Sequence, residues 1–498
     1  MQASVVHSWT ARRRARFNRW CDGPTARFDF WLDSRLSLLF VVLLGLLGSV
    51  QRPGRASAQA KFTQNNYTLD LVTTPVLGGG RILGMAGAHV AIASGIDGAA
   101  FNPAGYAERY EKEIDWFAFD VTGGLSLSNV FTQNDFDNDG KTNKSSGTTR
   151  QVSLGARIQL SYGGSGINWL QRRYTLRGVE GRNFDVTLNT WKTGVGYSLL
   201  NGGLVVGATL AIYKFAVAAS GSDSTFAQLT NLTPFGNNKN PTGYRGYGAE
   251  FGVLLRPAKK RYRAGFTATT PVNGKSDGGQ GADPDGVRRA QGLVLPKNVH
   301  VPWQLVAGFA YQFGERRTNT PWRNTKRLRR DLAEQIANGT YEVPETYGES
   351  AYPTLPTDNP EKALDVAMAN DREAERRLRR HQPRRYILLA ADILMYGHTA
   401  NGHGIDAFLS QVPERSGQKI SYGARVGLES EVWPDRVKVR GGTYLEPSRF
   451  NRSYYRPHAT TGFDVRLFDF WRWSARGTAT VDLAPRYFNW GIAFGLWW

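Results

Sequence analysis

The run DFDNDGKTN, from Asp135 to Asn143, is the sharpest concentration of ligand chemistry in the chain. Carboxylates at Asp135, Asp137 and Asp139, then Gly140 for a tight turn and Asn143 beyond it, can converge hard oxygen ligands on one calcium ion. An EF-hand carries glutamate at position twelve; here that position is Ser146, which excludes a full EF-hand. Two readings stay open: a looser calcium loop that borrows ligands from elsewhere, or an acidic, solvated loop. A second group is cationic. Arg425, Lys438 and Arg440 could attract the carboxylate head of an acyl ligand, or could pair with Glu429, Asp464 and Asp482 in structural networks. His398 and His403 lie in the glycine-rich stretch GHTANGHG, where simple exposure in a loop is the plainer reading than a metal site. No Ser/His/acid arrangement stands out, so the chain is expected not to be an enzyme.

These residues need a frame, and the sequence writes it with period two. Along Arg150–Tyr162, the residues Val152, Leu154, Ala156, Ile158, Leu160 and Tyr162 share one face, against Gln151, Ser153, Gly155, Arg157, Gln159 and Ser161. Val301–Phe313 and Lys419–Glu429 repeat the pattern. Alternation over about ten residues between turn residues marks the strand of a membrane-spanning barrel. Such segments fall near 113–129, 150–162, 166–178, 184–198, 203–216, 243–256, 261–270, 301–314, 384–396, 418–429, 436–447, 458–470, 475–483 and 487–498. The last puts Phe488, Trp490, Ile492, Phe494, Leu496 and Trp498 on one face. The fold class is therefore all-β, a transmembrane antiparallel barrel of about fourteen strands. With large apolar side chains turned to lipid, Arg157, Asp392, Arg425, Glu429, Lys438, Arg440, Asp464, Arg466 and Asp482 point into the lumen.

Leu36–Val50 is an apolar run of fifteen residues, shorter than the roughly 20 that a transmembrane helix needs. A basic region precedes it and A-x-A patterns follow at Ala56–Ala58 and Ala58–Ala60, the layout of a secretory signal peptide. Cleavage there removes Cys21, the only cysteine, with nine arginines and three aspartates, and the net charge falls from +20 to +14. No later segment approaches 18 consecutive apolar residues, so the mature chain would enter a membrane as a barrel.

Between the signal and the first strand lies LGGGRILGMAGAHVAIASGIDGAAFNPAG, Leu77 to Gly105. It is too glycine-rich for an amphipathic helix and too apolar for a linker. Its small residues suit a compact plug in a narrow space, and Asn102 before Pro103 sets an extended-then-turn geometry. The stretch resembles the N-terminal hatch of the FadL-type outer-membrane transporters, which show an arginine, a Gly/Ala-rich run and an Asn-Pro-Ala turn. The matching residues are Arg81, Gly84, Gly87, Asn102, Pro103, Ala104 and Gly105. The resemblance implies passive uptake of long-chain fatty acids or other hydrophobic molecules by a monomeric barrel in outer-membrane lipid. A PorV-like branch has a very similar hatch, and implies instead a non-transporting barrel that anchors other proteins.

The expected organisation is a signal at 1–60, a hatch inside the barrel at 61–112, eight strands over 113–314, an insertion at 315–383 and six strands over 384–498. Long polar loops at 130–149, 217–242, 271–299 and 397–417 belong outside. The insertion stands where a short inner turn belongs, and carries helical patterns at Asn324–Ala337 and Glu361–Arg380. By this topology it is periplasmic and could dock a periplasmic protein. Nucleic acid is not an expected partner, since the chain is exported and the insertion's acidic residues nearly match its basic ones.

Overall fold

The computed structural model describes residues 61–498 apart from 73, 77, 109–116, 132–133, 143–148, 221–241, 259, 277–282, 315, 317, 320–324, 345–350, 358, 381–384, 435, 451–453, 471–472 and 498. The expected signal at 1–60 lies outside the described residues, as do Asn143 and Ser146. After a short strand β1 (Thr68–Asp70), the chain makes helix α1 (Gly80–Gly84), helix α2 (Gly95–Ala99) and a 3-10 turn at Pro103–Tyr106.

The barrel then begins. Its strands are β2 (Phe117–Ser128), β3 (Thr149–Leu160), β4 (Gly163–Arg177), β5 (Asn183–Leu199), β6 (Leu204–Ala219), β7 (Tyr244–Leu255) and β8 (Tyr262–Thr269). Short strands β9 (Val272–Ser276), β10 (Arg289–Ala290), β11 (Leu293–Val294) and β12 (Asn298–Val301) belong to one long connection. The barrel resumes with β13 (Gln304–Gly314), and helices α3 (Thr325–Ala337) and α4 (Pro360–Arg380) lie before β14 (Tyr386–Tyr396). Another long connection holds β15 (Gly402–His403) and α5 (Ile405–Ser410). The last five strands are β16 (Ser421–Trp433), β17 (Val437–Pro447), β18 (Tyr455–Phe470), β19 (Trp473–Ala484) and β20 (Tyr487–Trp497).

Fourteen strands pair antiparallel in sequence order, and β20 pairs back with β2 from Trp497↔Asp120 to Asn489↔Ser128, which closes the sheet. Every expected strand is present, with ends shifted by a few residues. The largest extension is in β16, which runs to Trp433 through an irregularity between Glu431 and Trp433. The outward face is apolar: Ile158, Ile167, Leu210, Phe266, Ile393, Phe463 and Phe494 are all exposed. A continuous exposed apolar belt is unfavourable in water and favourable in lipid. Among the described residues, no helix is long and apolar enough to cross a membrane.

Connections alternate between a short-turn end and a long-loop end. The helical insertion leaves from the short-turn end, where α3 packs on α4 with Leu332, Ala363 and Ala367 buried. Two of the long connections depart from the polar-loop expectation. β1 pairs in parallel with both β12 and β15, and β9 joins β12 to β7, so these loops fold into a lid. Leu69, Phe184, Phe215, Tyr244, Leu293 and Phe408 share its apolar core. Asp70 anchors β1, accepting from Arg449 Nε at 3.1 Å, Ser416 Oγ at 3.0 Å and Thr399 Oγ1 at 3.1 Å. His398 is exposed as expected. His403 is not: it is 5% exposed and packs edge-on against Phe62 and Tyr67, because the lid core needs its ring as filler.

Candidate functional site

Residues 78–108 run among the inward-facing side chains of the barrel, and their turns are bound to its wall by hydrogen bonds at successive levels. The Asn-Pro turn forms as its sequence dictates. Asn102 is extended (φ −140°, ψ 112°), and its Oδ1 accepts from the Ala104 N–H at 3.0 Å, capping the 3-10 turn that Pro103 opens. Asn102 Nδ2 donates to the Val90 carbonyl at 2.8 Å and the Val253 carbonyl at 3.1 Å. One side chain thus caps its own turn, ties it to the preceding segment and docks it on β7.

The wall is shaped for this turn. Gly164, Gly196, Gly207 and Gly252 stand side by side in register across β4, β5, β6 and β7. A Cβ on any of them would run into the segment Asn102–Ala107. Glycine inside a strand weakens the strand, and marks a place where another backbone approaches closely. Gly105 meets the same constraint from within the plug, since a side chain there would meet Ala93 O and Ala99 N. Ala104 and Gly105 are buried, and the Gly105 carbonyl accepts from Arg157 Nη1 at 3.0 Å.

Arg81 fastens α1. Its Nε and Nη2 donate to the two oxygens of Glu429 at 2.8 and 2.9 Å, and its Nη1 reaches Ser94 Oγ at 2.5 Å. Glu429 also accepts from Arg440 Nε at 2.7 Å and from the Tyr386 hydroxyl at 2.9 Å, and Arg440 Nη2 continues to Asp464 at 2.9 Å. Gly84 packs beside Arg440 and its carbonyl accepts from Thr460 Oγ1 at 3.3 Å. Gly87 adopts φ +75°, and its carbonyl accepts from Arg425 Nη1 at 3.4 Å. Asp392 Oδ2 takes the N–H groups of His89 and Val90 at 2.9 and 3.1 Å, and Asp120 Oδ2 takes that of Ile96 at 2.7 Å. At the short-turn end Glu108 pairs with Arg256, and with Arg263 at 3.0 Å.

A cavity of about 200 Å³ remains beside the plug. Phe101, Leu170, Trp169, Val306 and Tyr396 give it apolar walls, and Asp97, Arg425 and the Lys192–Glu250 pair (2.7 Å) give it a few charged points. Asp97 borders this cavity. Burial pushes its carboxyl up to about 7, with Asp120 pushing the same way and Thr122 and Arg81 pulling against both.

The three cations singled out in the sequence part company here. Arg425 lines the cavity. Arg440 is spent on Glu429 and Asp464, the structural pairing that was the alternative reading. Lys438 stands in register with Asp464 and Glu431 and does not line the cavity.

The carboxylates of Asp135, Asp137 and Asp139 come within 4.8 Å of one another in the loop after β2. Asp135 accepts from the N–H groups of Asp139 (3.0 Å) and Gly140 (2.9 Å), and Gly140 has φ +90°. Two protein cations lie against the cluster: Lys141 Nζ is 3.3 Å from Asp139, and Arg456 Nη1 is 3.6 Å from Asp135.

No family model and no curated protein matches the chain. Among solved structures it is similar to a FadL homologue of Pseudomonas aeruginosa, at 13% identity over 86% of this chain and 99% of that one, with a TM-score of 0.46. It is also similar to the CymD monoaromatic hydrocarbon channel (11% identity, 86% and 98% covered, TM-score 0.44). The toluene transporter TodX of Pseudomonas putida gives 13% identity, 87% and 98% covered, and a TM-score of 0.43. These are likenesses of architecture across most of both chains.

Proposed function

We propose that the protein is an outer-membrane channel for passive uptake of hydrophobic small molecules, long-chain fatty acids among them. The observation that carries this reading is the cavity between the plug and the wall, where Phe101, Trp169, Leu170 and Val306 supply apolar surface among polar and charged side chains. A site of that kind holds a ligand by burying its apolar surface, with a few polar groups to orient it. The apolar outer belt supports residence in lipid. The plug is held by hydrogen bonds, ion pairs and packing, with no covalent cross-link to the wall among the described residues, and we assign residues 78–108 the role of hatch, while residues 61–72 lie with β1 in the lid.

The second reading is a non-transporting barrel that anchors other proteins, for which the helical insertion speaks. An uptake channel has no need of two extra helices at its short-turn end. On either reading we take that end as periplasmic, and the insertion as the place where a periplasmic protein would dock.

Uptake of radiolabelled laurate by cells with and without the protein tests the first reading, alongside a variant carrying Asn102→Ala and Pro103→Ala. Protein-dependent uptake that changes in the variant is expected. Equal uptake in all three strains would leave the anchoring reading in its place.

A further inference from the structure

The lipid-facing positions of β16 carry Tyr422, Ala424, Val426 and Leu428, and those of β3 carry Leu154, Ile158 and Leu160, all exposed. The long-loop end of β3 and β4 breaks this apolar run. Arg150 stands directly opposite Arg173 in the register of the two strands, and Gln151 stands opposite Arg172. Gln151 and Arg172 are buried and line a small cavity with Pro75, so alternation turns Arg150 and Arg173 outward, on the face of Leu154 and Ile158. Arg177 lies four residues beyond Arg173 and shares that face. Arg150 and Arg177 are exposed, and Arg173 is partly exposed.

Like charges directly opposite on adjacent strands, with Cβ atoms about 4.5–5.5 Å apart, are destabilising and call for an anion between them. One carboxylate is near. Asp185 on β5 accepts from Arg173 Nη2 at 2.9 Å and from Thr175 Oγ1 at 2.6 Å. Among the described residues no carboxylate pairs with Arg150 or Arg177. At the turn above, Arg182 and Glu180 pair with each other at 3.0 Å and add no net charge. The face therefore carries an excess of positive charge.

Its height decides what meets that charge. From Leu160 at the short-turn end, β3 advances ten residues to Arg150. At about 3.3 Å per residue and a tilt of about 40°, this is about 25 Å along the membrane normal, the height of a barrel's apolar band. Arg150 and Arg173 thus stand where acyl chains give way to headgroups. Arg177 lies about 13 Å further along its strand, among the headgroups themselves. Guanidinium forks match phosphate oxygens in bidentate hydrogen bonds, and basic clusters at a membrane surface attract anionic lipid. Below them Leu154, Ile158 and Ile167 offer acyl chains an apolar track.

We propose that Arg150, Arg173 and Arg177 form a site on the outer wall for a multiply phosphorylated lipid of the outer leaflet. Its phosphates meet the arginines and its acyl chains lie on the wall beneath. The spread of the three guanidiniums suits two phosphates on one headgroup better than a single phosphate. The proposal rests on the long-loop end facing outward and does not depend on what passes through the lumen.

The test uses the full mature protein in maltoside micelles, read by native mass spectrometry. Its probes are bisphosphorylated lipid A, monophosphoryl lipid A and phosphatidylglycerol. Wild type is expected to retain the bisphosphorylated lipid at about tenfold lower concentration than either other probe, the effect of one further charge-assisted contact. Excess inorganic phosphate should not displace it. The double variant Arg150→Gln, Arg177→Gln should lose the preference while its heat-modifiable migration stays that of wild type, because neither residue gives up a carboxylate partner. Arg436→Gln, at an exposed arginine of the short-turn end, should keep the preference. Equal retention of all three probes, displacement by inorganic phosphate, a preference that survives in the double variant, or its loss in Arg436→Gln would each overturn the proposal and leave the channel reading standing. Orientation is read separately, by labelling Arg182→Cys on whole cells with a membrane-impermeant maleimide. Labelling is expected; its absence would overturn the outer-leaflet site and the periplasmic placement of the insertion together.

Discussion

Glu429 takes hydrogen bonds from Arg81 in the plug and from Arg440 on the neighbouring strand, so one carboxylate joins the plug to the wall. In Arg81→Met the carboxylate keeps Arg440 and Tyr386 and so stays compensated, but α1 loses its bidentate pair to the wall. Hydrogen exchange should then accelerate over residues 80–100 and stay unchanged in the barrel strands. Unchanged exchange over 80–100 would mean that packing alone holds α1. Asp97 gives the plug a pH dependence of definite sign. Its carboxyl in the folded chain is raised to about 7 from an ordinary 3.8, so the folded state holds a proton that the unfolded chain has released. The stability this proton supplies is full below about pH 4 and is lost as pH rises through 7. Proteolysis within the plug should therefore be faster at pH 8 than at pH 5, and Asp97→Asn should flatten the difference. Faster cleavage at pH 5 would contradict the assignment.

At the scale of elements, the insertion and the barrel are separable. Helices α3 and α4 pack on each other, and the strands that flank them, β13 and β14, pair along their whole length from Gln304↔Tyr396 to Gly314↔Tyr386. Replacing residues 320–382 by a four-residue turn should leave barrel assembly and ligand binding within twofold of wild type, as judged by heat-modifiable migration and fluorescence titration. Loss of the assembled barrel would show that the insertion is part of the fold. The fourteen strands were legible because period-two alternation survives wherever one face meets lipid and the other a crowded lumen. The two insertion helices were legible from spacings such as Leu328, Leu332 and Ile336. The lid was not. β1 is three residues long and pairs with partners more than two hundred residues away, which no local pattern records. The glycine row was hidden for a related reason: Gly164, Gly196, Gly207 and Gly252 become a groove only once register aligns them. Alternation says that either Arg172 or Arg173 faces inward, but that Arg150 stands opposite Arg173 depends on register across strands.

Among the described residues, the barrel carries a lid with its own apolar core and a plug bound to the wall at many levels. On the channel reading proposed above, the plug must shift for a ligand to pass. The mature chain as expected from the sequence has no cysteine, so a single engineered disulfide can fix the plug without competing thiols. A Cβ built on Gly80 lies 3.3 Å from the Ala493 Cβ, just short of the 3.5–4.5 Å that a disulfide spans. Thr478→Gly clears both the methyl group and the Cβ that a side chain at position 80 would meet, at 2.5 and 2.8 Å. The decisive measurement is laurate uptake by cells carrying Gly80→Cys, Ala493→Cys and Thr478→Gly, oxidised and then reduced, with the cross-link verified by gel mobility. The account predicts uptake at the rate of cells lacking the protein when oxidised, and recovery on reduction. Equal uptake in the cross-linked and reduced states would contradict it.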